Sequence, residues 1–443
     1  MRTTRRLLAA ATSAVLLVPA GLTSASAAAP GPDAMSAARL AQVRLTDAGS
    51  FTRGVAERAA VERSRPGLRV TALDEVFATG QRTRPACHDA DLRVATTWRA
   101  FCWSETDDLT AGWYPQGITG SGDAANGSQR YVRCPGCPAH TVVAVSWHNR
   151  SDTLARVSFV DVSQGEAGAP YDHVLLVAPD SKGAGFRRIA SHADGIAWYG
   201  HLLFLFTSGP QLVHVFDLRH IWAMSDTTSG AVGCAPATGA CSAAGGSYAL
   251  PRIGYYRYVG GGRCANRVGT RPCFTSVSLD RSSTPDSLVT TEYSTSAGGR
   301  VLRWPLDART GRLAAGRDGR VRPFAGWKSP VRRMQGAAFA ARHGVVTGLC
   351  PRGAPPVSYM PGGGAAIHGK QAKACLFHAT LSSLRPAATL SLRYWTTAPS
   401  NIQNVSYWPA SGQLWTLNEF RGNGAFGSDR LVVVLDCPAL DCH

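Results

Sequence analysis

From about Leu68 onward, the chain alternates short apolar runs with clusters of Gly, Pro, Asn, Asp and Ser. The apolar runs are rich in β-branched and aromatic residues, as in YGHLLFLFTS (199–208) and DRLVVVLD (429–436). No long segment in this part of the sequence shows the periodicity of an amphipathic helix. The pattern therefore predicts an all-β domain made of many short strands.

A weak internal repeat organises these strands. Five segments share a pattern: a polar residue, at the second position of each segment as quoted below, is followed by small and apolar residues, a turn and a second apolar run. The five segments are PQGIT (115–119), ADGIAW (193–198), FTSVSL (274–279), MQGAAF (334–339) and IQNVSYW (402–408). Their polar residues are separated by 78, 81, 60 and 68 positions. Repeats of this length predict a β-propeller, because each four-stranded blade buries its faces against its neighbours.

Five repeats predict five blades, although six or seven remain open because a degenerate blade could lie within residues 220–273. The last strand, at 429–436, is expected to close the ring against either 68–78 or 92–103. A two-sheet sandwich is the structural alternative, but about 370 residues of repeated strands exceed a single sandwich. We therefore expect one closed propeller.

The N-terminal part of the chain has a different texture. Residues 1–27 combine three arginines, an apolar run and the small-residue site Ala25-Ser26-Ala27, which are the three parts of a secretory signal peptide. We expect secretion, a leader or loosely ordered arm over 28–67, and a propeller domain over 68–443. No later stretch reaches transmembrane length, and the propeller is expected to be a monomer.

Twelve cysteines, an even number, predict disulfides in a secreted chain. Pairing by order along the chain joins Cys87 with Cys102, Cys134 with Cys137, Cys234 with Cys241, Cys264 with Cys273, Cys350 with Cys375, and Cys437 with Cys442. Zinc is the alternative at the Cys134-Pro-Gly-Cys137 segment. The sequence contains no second CxxC or HxxxH to complete a tetrahedral site, so a short disulfide loop is favoured.

The formal net charge of +17 raises the question of nucleic acid as a partner. The excess consists almost entirely of arginines spread singly, and the densest basic stretch, RTGRLAAGRDGRVRP (309–323), is punctuated by glycines like an exposed loop. This distribution favours a solvated basic surface, and we expect no nucleic-acid binding.

The repeat segments carry a resemblance to known proteins. Phrases such as WYPQGIT, HADGIAWYG and SYWPASGQLWTLNEF resemble a group of secreted actinobacterial β-propeller proteins of uncharacterised function. The resemblance implies the fold and export, and it carries over no catalytic residue. Gln116-Gly117 and Gln335-Gly336 also resemble a blade opening of glutaminyl cyclotransferases, while Asp194-Gly195-Ile196-Ala197 resembles lactonases and related calcium-dependent esterases.

Propeller geometry predicts where functional side chains meet. The first strand of a blade lines the channel and the second runs antiparallel to it, so the start of one and the end of the other share a face. Strand starts therefore bring together four predicted ligand-binding residues, which are Gln116, Asp194, Gln335 and Gln403. The ends of second strands add the candidate catalytic residues His148, Glu292 and Glu419.

Two carboxylates and a histidine at one mouth suit acid–base catalysis or a hard cation. The leading hypothesis is a secreted propeller that binds an extracellular ligand or cell-envelope component. The alternative is a secreted hydrolase, lyase or cyclotransferase using Glu292 and Glu419 as acid and base or as metal ligands. No metal site is predicted, the cofactor stays open with calcium as one candidate, and four further histidines are assigned structural roles: His192, His201, His214 and His220.

Overall fold

The computed structural model describes thirteen parts of the chain. They are residues 33–65, 67–78, 80–84, 98–124, 130–133, 136–209, 212–260, 264, 272–353, 374–385, 388–397, 401–420 and 430–440. The predicted signal peptide, together with Cys87, Cys134 and Cys442, lies outside the described residues. Within the described part of the chain, no helix is long and apolar enough to cross a membrane.

Strands dominate the described residues. They are β1 (Asp33–Ala34), β2 (Leu45–Thr46), β3 (Arg69–Thr71), β4 (Gln81–Arg82), β5 (Trp98–Cys102), β6 (Trp113–Gly120), β7 (Tyr131–Val132), β8 (Ala139–His140), β9 (Val142–Asn149), β10 (Ala155–Asp161), β11 (Pro170–Pro179), β12 (Phe186–Arg188), β13 (Gly195–Tyr199), β14 (Leu202–Phe206), β15 (Leu212–Asp217), β16 (Ile221–Ala223), β17 (Val232–Cys234), β18 (Cys241–Ala243), β19 (Tyr248–Tyr258), β20 (Phe274–Asp280), β21 (Ser287–Glu292), β22 (Gly299–Pro305), β23 (Ala325–Ser329), β24 (Gly336–Ala340), β25 (His343–Gly348), β26 (Cys375–Leu381), β27 (Leu390–Thr397), β28 (Ile402–Trp408), β29 (Gln413–Asn418) and β30 (Leu431–Asp436). The helices are α1 (Ala37–Leu40), α2 (Ser50–Ser64), α3 (Leu73–Ala78), α4 (Glu105–Leu109) and α5 (Ser121–Ala124), with 3₁₀ turns at Leu218–His220 and Pro438–Leu440.

These strands form a five-bladed β-propeller, as the repeat predicts. Each blade has four antiparallel strands, in the orders β6-β9-β10-β11, β13-β14-β15-β19, β20-β21-β22-β23, β24-β25-β26-β27 and β28-β29-β30-β5. The innermost strands β6, β13, β20, β24 and β28 contact one another around the ring. The blades are numbered 1 to 5 in that order. Asp194 and Gln335 lie just before an innermost strand, and Thr275 and Gln403 are the second residues of theirs. Gln116 lies further in, as the fourth residue of β6.

The ring closes through a strand from the N-terminal side of the chain. Strand β5 pairs antiparallel with β30 and completes blade 5. Of the two predicted closing segments, 92–103 therefore supplies the strand. The other was wrong, because β3 pairs with β16 and the residues after it form helix α3. Residues 220–273 hold no additional blade among their described positions, since β19 is the outer strand of blade 2.

Helix α2 was not predicted from the sequence, because its few apolar positions give no clear helical period. Phe51 and Val61 are buried, and the helix packs along β19. Gly54 permits this approach, since a Cβ there would lie 2.4 Å from the carbonyl oxygen of Ile253. The same part of the chain adds β1 to blade 3 and β2 to β19. Tertiary contacts therefore stabilise this helix more than its own pattern does.

Large aromatic side chains fill the spaces between blades. Trp147, Trp198, Trp304, Trp408 and Trp415 are all at most 2% exposed. Trp408 of blade 5 packs against Gly122 of blade 1, where an added Cβ would lie 2.1 Å from the indole. Aromatic side chains with this much apolar area are the main source of the packing energy that holds neighbouring blades together.

Three of the predicted disulfides are confirmed: Cys234–Cys241, Cys264–Cys273 and Cys350–Cys375. Cys102, Cys137 and Cys437 are also disulfide-bonded, and the partners predicted for them lie outside the described residues. The confirmed bonds close loops of 7 to 25 residues. Loops this short restrain local segments and do not join blades.

Candidate functional site

The face at which the innermost strands begin carries a cluster of polar side chains from three consecutive blades. Blade 5 supplies Gln403 and Glu419, blade 1 supplies Gln116 and His148, and the segment that leads into blade 2 supplies His192. These five residues define what we call the Glu419 mouth. The closed ring brings blade 5 beside blade 1, so residues far apart in sequence become neighbours here.

Glu419 follows directly after β29, the second strand of blade 5. Its Oε2 accepts a hydrogen bond of 2.8 Å from Nε2 of Gln403 on the neighbouring strand β28. Its Oε1 lies 3.8 Å from Nε2 of His148. The Glu419 side chain is 12% exposed, so the carboxylate is largely buried but still reaches the surface. The hairpin of blade 5 thus holds one carboxylate oxygen and leaves the other facing blade 1.

Asp152, in the turn between β9 and β10, orients two histidines at once. Its Oδ1 lies 2.6 Å from Nδ1 of His148 and 3.1 Å from Nδ1 of His192. The two imidazole rings are adjacent, with centroids 4.0 Å apart and planes tilted by 38°. His148 Nδ1 also lies 3.0 Å from the backbone carbonyl oxygen of Asn149, to which its N–H donates. A histidine whose Nδ1–H is donated to an oxygen keeps a lone pair on Nε2. With its Nδ1–H held in this way, each imidazole can act as a ligand or proton acceptor through Nε2.

His148, His192 and Glu419 together have the geometry of a metal-binding set. Each offers one ligand atom, and these atoms lie within 4.8 Å of one another. From the sequence, His192 was assigned a structural role together with His201, His214 and His220, because His201 falls in a turn and His214 in an alternating strand, and no metal site was predicted. The available signal was the position of His192, two residues before the polar residue that opens blade 2.

Asp194 is buried beside this cluster. Its Oδ2 accepts a hydrogen bond of 2.8 Å from the backbone N–H of Ser208, which ties the end of β14 to the start of β13. Burial raises the pKa of Asp194, although the neighbouring His192 opposes the change. For His192, burial lowers the pKa, but Asp194 and Asp152 outweigh it and the net change is upward. Asp194 and His192 thus interact electrostatically at the edge of the mouth.

Gln116 contacts His148 within the Glu419 mouth, and Gln335 lines a cavity next to it. Nε2 of Gln116 is 3.5 Å from Nε2 of His148, in a buried contact. Gln335 lines a cavity of about 410 Å³ together with Tyr293, Arg333, Asn401, Gln403 and Glu419. Among the described residues, the cavity walls carry three amide side chains, one cation and one carboxylate. Such a surface offers both donors and acceptors to a polar ligand.

Glu292 is not part of this cluster. It is fully buried and forms an ion pair with Arg300, in which Nε donates to Oε2 over 2.7 Å and Nη2 donates to Oε1 over 2.8 Å. The backbone N–H of Arg300 donates to the same carboxylate at 3.1 Å. The expectation that Glu292 faces Glu419 across a shared mouth is therefore not met. Arg300, one strand away in blade 3, already satisfies both oxygens of Glu292.

Below the mouth, the channel is crossed by buried polar side chains. Asn404 of blade 5 donates a hydrogen bond of 2.8 Å to the carbonyl oxygen of Val277 in blade 3. Ser406 donates over 2.7 Å to Asp123, which also accepts from the hydroxyl of Thr119. Burial raises the pKa of Asp123 to about 7, against the opposing hydrogen bond from Ser406. These contacts link the blades across the axis.

Asp123 gives the protein an expected pH dependence. An unfolded aspartate ionises near pH 4, whereas Asp123 in the folded protein keeps its proton to about pH 7. The folded state therefore binds more protons in this window, and the free energy of unfolding should fall as pH rises from 4 to 7. The fall attributable to this group is ~4 kcal/mol at most.

Urea unfolding of wild type and Asp123→Asn between pH 4 and 8 checks this expectation. The variant should show a clearly smaller fall, because it has no carboxyl group to ionise at this position. Asp318→Asn is the control, because Asp318 is exposed and its pKa is lowered and not raised. The main cause of that lowered pKa is the hydrogen bond from Arg322. Equal pH profiles for wild type and Asp123→Asn would contradict the assignment.

A serine, a histidine and an aspartate also form a hydrogen-bonded row in blade 1. Oγ of Ser158 lies 2.7 Å from Nδ1 of His173, and Nε2 of His173 lies 2.9 Å from Oδ2 of Asp107. The residue types match those of a nucleophilic triad. Ser158 is 0% exposed and paired on both sides within β10, so no substrate can reach its hydroxyl. The row is structural.

No protein-family model matches this chain, and comparison with curated proteins gave no match. Among solved structures, a GH43_1 enzyme from Xanthomonas citri complexed with xylotriose is similar at a TM-score of 0.33 and 8% identity. It covers 85% of this chain and 92% of that one. A gluconolactonase from Xanthomonas campestris has a TM-score of 0.30 and 11% identity over 81% and 96% of the two chains. Similarities of this size carry no argument about function, and the fold assignment rests on the strand pairing.

Proposed function

We propose that the protein is an extracellular propeller that binds a polar ligand at the Glu419 mouth beside a divalent transition metal held by His148, His192 and Glu419. The observation that carries the proposal is the double contact of Asp152. The carboxylate of Asp152 contacts the Nδ1 atoms of two adjacent imidazoles, and a second carboxylate, that of Glu419, lies 3.8 Å from Nε2 of His148. The ligand atoms of His148, His192 and Glu419 lie within 4.8 Å of one another. A carboxylate behind a ligating histidine is the usual support of a metal site.

The ligand set favours zinc or a similar first-row metal over calcium. Calcium takes six to eight oxygen ligands, whereas two imidazoles and one carboxylate suit Zn²⁺. Three protein ligands leave a coordination position open, as in catalytic zinc sites. The formal negative charges of Glu419, Asp152 and Asp194 also offset the charge of a divalent cation.

The adjacent cavity supports a ligand of modest size that is rich in hydroxyl or amide groups. Gln335, Gln403 and Asn401 line the cavity with amides that can both donate and accept, and Arg333 adds a cation. A metal at its edge would polarise a bound carbonyl or lower the pKa of a bound water, which is the chemistry of a hydrolase. The class of ligand we propose is therefore a sugar, lactone or peptide fragment.

A second candidate function needs no metal. Glu419 and His148 lie 3.8 Å apart, and they could act as an acid–base pair or as polar contacts in a binding protein. Glu292 takes no part in either version, because Arg300 satisfies it. The two candidates differ in whether ligand binding depends on metal.

Zinc titration by calorimetry, after chelator treatment and dialysis, tests the proposal. We expect one Zn²⁺ per chain, weaker or undetectable Ca²⁺ binding, and a loss of zinc affinity of at least ~10- to 100-fold in Glu419→Gln and His192→Ala. Asp152→Asn should also weaken zinc binding, because it removes the negative charge beside the Nδ1 atoms of both imidazoles. The absence of zinc binding by wild type would overturn the metal site.

His343→Ala serves as the matched control, since His343 is an exposed histidine on blade 4. It should bind zinc like wild type, and equal losses in the control and in His192→Ala would indicate adventitious binding. A melting-temperature screen of sugars, lactones and short peptides then compares chelated with zinc-loaded protein. A ligand that stabilises both forms equally would favour the metal-free candidate.

A further inference from the structure

The opposite end of the propeller carries a second, larger cavity of about 960 Å³. It lies where the innermost strands end, since Trp198 and Tyr199 finish β13 and Ser121 follows β6. Blades 1, 2 and 3 contribute to its walls. We call it the Arg281 cavity and define it by the charged residues of its lining: Arg130, Arg133, Arg219, Arg281, Arg309 and Asp286.

Positive charge dominates this cavity. Five arginines line it, against one carboxylate, that of Asp286. Arg281 pairs with Asp286 at 3.0 Å, and Arg219 pairs with Asp217 at 2.6 Å. Asp307 accepts a hydrogen bond of 2.8 Å from the backbone N–H of Arg309. Among the described residues, the five arginines therefore outnumber the three carboxylates in or beside the lining, those of Asp286, Asp217 and Asp307. A concave surface with such an excess attracts anions from solution.

Arg281 forms a rigid floor for the cavity. It is largely buried, and its Nε donates over 2.6 Å to the carbonyl oxygen of Asp123, while Nη2 donates to that of Ala124. Its guanidinium lies 4.8 Å from the centre of the Tyr199 ring, and the Tyr199 hydroxyl donates to Asp286. These contacts hold the floor in one arrangement before any ligand arrives, which lowers the entropy cost of binding.

Arg133 and Arg309 are exposed cations of the cavity lining that can bind an anionic ligand. Both are exposed, and among the described residues no carboxylate lies within ion-pair distance of either guanidinium. Arg309 follows the third strand of blade 3, and Arg133 follows β7. Two unpaired guanidinium groups above a cationic floor match the planar, two-oxygen geometry of phosphate and sulfate groups.

We propose that the Arg281 cavity binds a small molecule carrying phosphoryl or sulfo groups, such as a phosphorylated sugar. The volume falls within the range of small-molecule sites. Tyr131 and Tyr199 offer ring surface for the uncharged part of such a ligand, while the arginines bind its oxyanion. This site lies on the opposite face from the Glu419 mouth and does not depend on the function proposed there.

Calorimetric titration of chelator-treated protein with glucose 6-phosphate, inorganic pyrophosphate, inorganic sulfate and glucose tests this inference. The chelated form keeps the result separate from any metal at the Glu419 mouth. We expect glucose 6-phosphate and pyrophosphate to bind, glucose to bind at least ~10-fold more weakly, and the affinity to fall as salt is raised. If pyrophosphate and sulfate bind but glucose 6-phosphate does not, the ligand is the free anion, and the assignment of a sugar phosphate is overturned.

The double variant Arg133→Ala/Arg309→Ala should weaken anion binding by at least ~10-fold through loss of two charge-assisted contacts. Its control is Arg39→Ala/Arg317→Ala, which removes the same charge from exposed arginines elsewhere. The proposal is overturned if no anion binds, if glucose binds as tightly as its phosphate, or if the two double variants lose the same affinity. Both pairs are exposed, so all four substitutions should leave the fold intact.

Discussion

Replacing Glu292 by Ala is expected to lower the free energy of unfolding by ~3–5 kcal/mol, because the substitution leaves Arg300 buried without its carboxylate. The Arg300 side chain is 9% exposed, and Glu292 accepts hydrogen bonds from its Nε, its Nη2 and its backbone N–H. Urea denaturation at neutral pH measures the loss. The same variant should bind zinc like wild type, since Glu292 does not line the cavity beside Glu419.

A double variant tests the reason for this loss. Glu292→Met/Arg300→Met removes both charges and should recover most of the stability, because a buried pair replaced by apolar side chains of similar volume is often neutral. Glu419→Gln gives the opposite pattern, with lost zinc affinity and a small change in stability. An unstable Glu419→Gln together with a stable Glu292→Ala that loses zinc would reverse the roles assigned to the two carboxylates.

Replacing Asp107 by Ala is expected to cost ~3–5 kcal/mol as well, for a related reason. Asp107 accepts hydrogen bonds from Arg156 at 2.8 Å, from the Tyr171 hydroxyl at 2.7 Å and from His173 at 2.9 Å. Burial by itself raises the pKa of Asp107, but His173 and Arg156 together lower it well below its usual range. Thermal or urea unfolding at neutral pH measures the loss.

The pH dependence from Asp107 runs opposite to that from Asp123. Because its folded pKa is depressed, the stability that Asp107 contributes is present above the unfolded pKa near 4 and is lost as pH falls further. Ser158→Ala is the control, because it removes one hydrogen bond from the same row and should cost only ~1 kcal/mol. A cost for Asp107→Ala no larger than that for Ser158→Ala would contradict the assigned role.

Much of the fold could be predicted, because a propeller repeats the same local pattern. The polar residues near the starts of the innermost strands mark each blade, so the repeat predicts both the number of blades and the face on which Gln116, Gln335 and Gln403 lie. Helix α2 was missed, since its stability comes from the fit of Gly54 against Ile253. The choice of β5 as the closing strand likewise depends on a pairing with β30 across most of the chain.

The sequence is enough to place Gln403 and Glu419 at one rim, because a short hairpin brings its two ends together whatever surrounds it. The partners of each polar group depend on how the blades pack. Ring closure places blade 5 beside blade 1 and so brings Glu419 to His148 and His192, while Arg300 satisfies Glu292 inside blade 3. Residue spacing does not reveal these ion pairs and contacts, because they depend on which buried charged groups become neighbours once the blades have packed.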